Sequence, residues 1–303
     1  MRTAAPSVPA PGADTSVREV LLDAGGGIRL SGLLAGDPRT PPRATVVAVH
    51  GGGMRAGYFH GAAHRDLSLL TLAASLGHQV LAVDRPGYGR SAGALPEGLP
   101  LAEQTALLAT ALAAFADTHP LGAGYFVLAH SYGGKVALTL AARHGELPLR
   151  GLAVSGCGHR FAQGAAGLPP GRWSAASRMN NWGPLGLYPP DTFRLAAALT
   201  TPAPPREVAE LPYWERTLAE LAAGVRLPVR FTFAEHERRW RHDPRALGEL
   251  RGMFPRAVVS TERQPHAGHN ISLGWAARSY HLRMLGFLEE CLWGDTLRPT
   301  KMA

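Results

Sequence analysis

Short apolar runs alternate with helical stretches along most of this chain, and that alternation limits the folds open to it. Residues 44–49 (ATVVAV) form a continuous, largely β-branched run. A half-buried strand alternates apolar with polar residues; a continuous run of this kind suits a strand buried on both faces. Further strands are predicted at 79–83, 125–129 and 149–154, with helices at 67–76, 101–115 and 135–143 between them. Parallel strands need crossovers of that length. The pattern therefore predicts an α/β fold, with a mostly parallel central sheet flanked by helices. Ahead of it, runs at 17–22 and 28–34 flank Asp23-Ala24-Gly25-Gly26-Gly27, a hairpin signal.

The rhythm breaks after 157. Residues 158–224 carry many prolines, Trp173, Trp182 and Trp214, and short helical pieces, which read as an inserted helical lid. It resumes with a strand at 229–233, a helix near 244–253, a strand at 257–260 and a long helix over roughly 273–292. The expected organisation is a disordered tail (1–16), a first core part (17–157), the lid (158–224), a second core part (225–293) and a C-terminal tail (294–303). A chain of 303 residues suffices for one large domain with such an insertion.

Ser131 lies in Ala129-His130-Ser131-Tyr132-Gly133-Gly134, between a predicted strand and a predicted helix. A serine there occupies a sharp turn that needs small residues two before and two after it. Ala129 and Gly133 supply them, with Ala standing where Gly is commoner. The turn aims the hydroxyl over the C-terminal edge of the sheet, where open α/β sheets bind ligands. A helix N-cap serine is the plainer reading.

A serine hydroxyl is a weak nucleophile without a base, and the base needs an orienting acid. On such a sheet the chain order is Ser, then Asp or Glu, then His. His269, in the loop between the last strand and the last helix, is the predicted base, with His266 as competitor. His281, within the last helix, reads as structural. After the strand at 229–233, Ala234 is followed three residues on by Glu237, the predicted acid; Glu235 is the alternative. Two backbone N–H groups should meet the oxyanion of acyl transfer. Tyr132, next after the serine, and Gly52 in His50-Gly51-Gly52-Gly53 are the predicted donors, with Gly53 second to Gly52. The glycine run lacks the Lys-Ser/Thr of a phosphate-binding loop.

The net charge of +8 is almost wholly arginine, with Lys135 and Lys301 the only lysines. The arginines are scattered, with no nucleic-acid-binding motif, so composition bias explains them best; an acidic acyl carrier protein is the other partner considered. Cys157 and Cys291 are too few for a disulfide framework or a cysteine-based metal site. Cys157 reads as a small buried apolar residue. No apolar run is long enough to span a membrane, and no apolar export segment opens the chain, which makes the cytoplasm the expected location.

VVAVHGGG, DRPGYGRS, AHSYGGKVAL, VRFTFAEHERRW and PHAGHNISL, in that order, resemble the α/β-hydrolase superfamily over about 44–292. The resemblance implies an eight-stranded, mostly parallel sheet, a variable cap after the sixth strand, and a mainly structural loop at Asp84 to Ser91. Family members with Asp at the nucleophile position cleave haloalkanes and epoxides, so Ser131 disfavours those reactions. The expected function is hydrolysis of a carboxylic ester or thioester through an acyl-Ser131 intermediate, with no metal or organic cofactor. The expected partner is a small-molecule acyl ester or thioester, free or carrier-bound. An acyltransferase or cyclase using the same acyl-enzyme, and a non-catalytic binding protein on this scaffold, are the alternatives.

Overall fold

The computed structural model describes residues 17–163 and 181–296. Eight strands form one sheet in the order β1-β2-β4-β3-β5-β6-β7-β8. The strands are β1 (Arg18–Asp23), β2 (Arg29–Ala35), β3 (Thr45–Val49), β4 (Gln79–Val83), β5 (Tyr125–His130), β6 (Leu149–Ser155), β7 (Val229–Ala234) and β8 (Val259–Gln264). β1 pairs with β2, and β2 with β4, antiparallel. All other pairs are parallel. At the β1–β2 turn, Gly25, Gly26 and Gly27 all take positive φ, a run that side chains would resist.

The continuous apolar runs lie where two-sided burial requires them. Every residue of β3 and β5 is buried. One sheet face packs on α2 (Leu101–Ala116) and α3 (Tyr132–Arg143), and the other on α1 (Leu69–Ser75) and the last helix (Ala277–Thr296). Among the described residues no helix is long and apolar enough to cross a membrane.

Two elements differ from expectation. β8 covers Val259–Gln264 rather than 257–260. It is an edge strand of sequence VSTERQ, held by backbone pairing to β7, so it carries little apolar pattern. The last helix starts at Ala277 rather than near 273. Ile271–Leu273 forms a 3₁₀ turn, and Gly274 after it is extended, at φ −92° and ψ 170°, packed so near the Leu187 carbonyl that a Cβ would meet it at 2.9 Å.

Between β6 and β7, themselves direct neighbours, the chain leaves the sheet. In its described part this excursion has short helices at Thr192–Ala196, Pro205–Ala209 and Trp214–Ala222. The tail expected at 1–16, residues 297–303 of the tail expected at 294–303, part of the expected lid (164–180) and Trp173 lie outside the described residues. Residues 294–296, expected in that tail, belong to the last helix instead.

Candidate active site

The turn between β5 and α3 holds Ser131 at φ 53° and ψ −116°. Positive φ in a non-glycine residue is strained, and the surroundings enforce it. The Ser131 N–H donates to the Ser155 carbonyl at 2.8 Å, and its own carbonyl accepts from Gly134 N–H at 2.9 Å. Crowding explains the small neighbours. A Cβ on Gly133 would collide with the Val49 and His50 carbonyls, and one on Gly51 would stand 3.0 Å from Ser131 Cβ. Tyr132 is the first residue of α3, so its N–H has no acceptor within the helix.

The structure brings Ser131, Glu237 and His269 together. His269 Nε2 lies 3.2 Å from Ser131 Oγ, and its Nδ1 lies 2.7 Å from Glu237 Oε2. Glu237 and His269 are both buried. The longer glutamate side chain folds back: its Oε1 accepts the backbone N–H of Arg239 at 2.8 Å. Burial pushes the Glu237 carboxyl up, but the His269 imidazole and the Arg239 N–H outweigh it and hold the group below the usual carboxylate range. An ionised Glu237 accepts a hydrogen bond from Nδ1–H, which leaves Nε2 free to accept one from Ser131.

Glu235 and His266 go elsewhere. Glu235 accepts from the His266 N–H at 2.7 Å and pairs with Arg263 at 3.0 Å, at the surface. His281 is buried in the last helix and meets Ser272 Oγ through Nε2 at 3.0 Å.

The loop His50–Gly53 runs beside the serine turn. Gly53 N–H is taken by Tyr88 Oη at 3.0 Å. Gly52 N–H has no such partner among the described residues, and a Cβ on Gly52 would stand 3.9 Å from Tyr132 Cβ. Of the two glycines, Gly52 is thus the one with a free donor.

Several residues that shape this site carry no mark in the sequence. Gly156, at φ 58°, makes room for His269; a Cβ there would stand 2.8 Å from His269 Cε1. His130 stacks on Tyr58 with ring centroids 4.8 Å apart, and lies 4.8 Å from the His269 ring. Burial, then the neighbouring His269, holds its pKa well below that of a free imidazole, so it adds no charge beside His269. Asn181 ties the excursion to the base: its carbonyl accepts from Asn270 Nδ2 at 3.0 Å, and its Oδ1 from Arg239 at 2.7 Å. Cys157, which the sequence does mark as a small buried residue, packs against Gly134, and burial pushes its thiol up to about 12. Among the described residues no group of three or more His, Cys, Asp or Glu is arranged to hold a metal ion.

The model of the alpha/beta hydrolase family matches residues 46–284. The chain belongs to the α/β-hydrolase family. Solved structures agree with this hydrolase in fold. DcsB, solved in complex with its substrate analogue, superposes with a TM-score of 0.66 at 16% identity, covering 91% of this chain and 99% of that one. A soluble variant of monoglyceride lipase from Saccharomyces cerevisiae, bound to a substrate analogue, gives 0.66 at 13% identity, covering 94% and 98%. The thioesterase domain from the curacin biosynthetic pathway gives 0.55 at 16% identity, covering 89% and 99%. At these identities the likeness is one of fold. No curated protein matches this α/β hydrolase significantly by sequence.

Proposed function

We propose that this α/β hydrolase cleaves a carboxylic ester or thioester through an acyl-Ser131 intermediate. The observation that carries the reading is the relay from Glu237 through His269 to Ser131, at 2.7 and 3.2 Å. In the proposed reaction His269 Nε2 takes the Ser131 proton as Oγ attacks the substrate carbonyl carbon. Charge develops on the carbonyl oxygen, and the N–H groups of Tyr132 and Gly52 meet it, helped by the positive end of α3. The imidazolium, steadied by Glu237, then protonates the departing alcohol or thiol. Water, deprotonated by His269, attacks the acyl-serine and releases the acid. The chain's own side chains and amides supply every step, so the mechanism calls for no cofactor.

The excursion between β6 and β7 serves in this reading as the cap over the site. Its Trp182, Tyr188 and Phe193 rings cluster with centroids 5.0 to 5.6 Å apart, and the Tyr188 hydroxyl and Trp182 carbonyl press on Gly268, beside the base. In this reading the acyl group comes from a free small molecule or from one delivered on a carrier. Supporting context comes from the fold neighbours, which include a lipase and a thioesterase domain.

The direct test is a fluorophosphonate probe, with the adduct mapped by mass spectrometry. Labelling should fall on Ser131 and disappear in Ser131→Ala. An adduct found elsewhere, or labelling undiminished in His269→Ala, would overturn the reading.

A further inference from the structure

Among the buried groups that the reaction above does not use, one cluster joins the excursion to the oxyanion loop. Glu207, on the short helix Pro205–Ala209, is buried with Arg85 and Tyr88, both from the loop after β4. Arg85 spends all five of its N–H groups. Its Nε donates to the His50 carbonyl at 2.9 Å. Its Nη2 donates to the Gly51 carbonyl and to Glu207 Oε1, each at 3.2 Å. Its Nη1 donates to Gln104 Oε1 at 2.7 Å and to Glu207 Oε2 at 2.8 Å. The Tyr88 hydroxyl accepts from Gly53 N–H at 3.0 Å and donates to the Glu207 carboxylate at 3.0 to 3.1 Å.

The anchors therefore take the carbonyls of His50 and Gly51 and the N–H of Gly53, and spare the N–H of Gly52. Arg85 and Tyr88 provide them, and both lean on one carboxylate. Glu207 also packs on the loop directly, with Oε1 2.9 Å from where a Cβ on Gly52 would stand. A second strap lies beside it: Thr201 N–H donates to the Gly53 carbonyl at 3.0 Å.

We propose that Glu207 is a positioning residue for the oxyanion loop, holding the Gly52 N–H in place through Arg85 and Tyr88. The proposal rests on the serine-hydrolase reading above. The physical reason is charge as well as shape. A buried guanidinium without its carboxylate must find other acceptors or admit water, and the nearest are the loop carbonyls it already holds. A carboxylate alone beside the oxyanion donors would oppose the charge that develops there; paired with Arg85, the cluster is neutral. Since a displacement of about 1 Å at such a donor is costly, the effect should appear in turnover rather than in ground-state binding.

The test compares Glu207→Gln and Tyr88→Phe with the wild type. Tyr88→Phe leaves the Arg85–Glu207 pair in place and removes only the hydroxyl between Glu207 and Gly53. Two quantities are read: hydrogen–deuterium exchange of the peptide covering His50 to Gly53, and the rate of fluorophosphonate labelling of Ser131, whose phosphoryl oxygen enters the same hole. Exchange should rise at least ten-fold, and labelling and kcat for a p-nitrophenyl ester should fall at least ten-fold with KM within two-fold. Exchange or labelling within two-fold of wild type, in a variant whose thermal melt shows it folded, overturns the proposal. If Glu207→Gln does not fold, Tyr88→Phe decides by the same limits. If the wild type is never labelled at Ser131, the serine-hydrolase reading falls, and the exchange data still decide whether Glu207 anchors the loop.

Discussion

Glu237 Oε2 lies 2.7 Å from His269 Nδ1, and both side chains are withdrawn from solvent. Replacing Glu237 by Gln keeps the shape but offers an amide where the imidazole needs an anion. We expect kcat to fall by a factor on the order of 10⁴, as when the orienting acid of a serine protease is neutralised. Glu235→Gln should leave kcat within two-fold, because that carboxylate is engaged with Arg263 and the His266 N–H. Steady-state kinetics of the two variants on one ester decides the assignment; the opposite result would move the acid to Glu235.

The strain at Ser131 gives a second expectation. Its φ of 53° suits glycine and penalises any side chain. Ser131→Gly should be inactive yet more stable than Ser131→Ala by about 1 kcal/mol. Urea unfolding of the pair measures the difference, and equal midpoints would show that the turn stores no strain.

Gly133 leaves no room for a methyl group. A Cβ there would stand 2.7 Å from the His50 carbonyl oxygen and nearer still to that of Val49. Both atoms are backbone, so neither can step aside cheaply. Gly133→Ala should lose about 3 kcal/mol of stability, within the range of severe core changes, and most of its activity. A thermal melt checks the first and ester turnover the second.

Buried imidazoles set the acid side of the stability profile. Burial holds His50 and His130 well below the ordinary histidine pKa of 6.5 and pushes His281 down to about 3. Below pH 6.5 the unfolded chain binds protons at these positions and the folded chain does not. Stability therefore falls as pH drops, by about 1.4 kcal/mol per pH unit for each such histidine. Urea midpoints at pH 7.5, 6.5 and 5.5 should decline in that order, and less steeply in His281→Gln. A flat profile would mean that these rings take up protons in the folded state.

Lys135 is a buried cation without a hydrogen-bond partner among the described residues. Its Nζ lies 4.9 Å from the Trp214 ring centroid, 5.4 Å from Tyr132, 5.6 Å from Phe161 and 5.8 Å from Trp240. Burial pushes its pKa down to about 8; the rings return part of that cost. Lys135→Met should gain about 1 kcal/mol at pH 7, as when buried charges give way to apolar residues of similar shape. It should also flatten the rise in wild-type stability from about pH 8 to 9.5, where only the unfolded chain still holds the lysine proton. Loss of stability in Lys135→Met would show that the aromatic box needs its cation.

Much of the frame was legible because burial on two faces leaves a mark in sequence. β3 and β5 had to be apolar throughout, and their limits were readable to within a residue. β8 was not: an edge strand held by backbone pairing to β7 needs little apolar pattern. The start of the last helix was hidden for another reason. Gly274 ends the 3₁₀ turn because the Leu187 carbonyl, far away in the chain, packs against it.

The sequence by itself determined most of the sheet and the candidate reacting groups: Ser131 and Glu237 sit just beyond the ends of β5 and β7, which apolar pattern reveals, and His269 sits in the loop before the last helix. Only the tertiary structure decided which glutamate faces His269, which glycine keeps a free N–H, and what holds that glycine's loop. Glu207 and Arg85 are 122 residues apart. Neither belongs to a periodic pattern that names its partner. A buried ion pair is specified by where two surfaces meet, and no local spacing along the chain records that meeting.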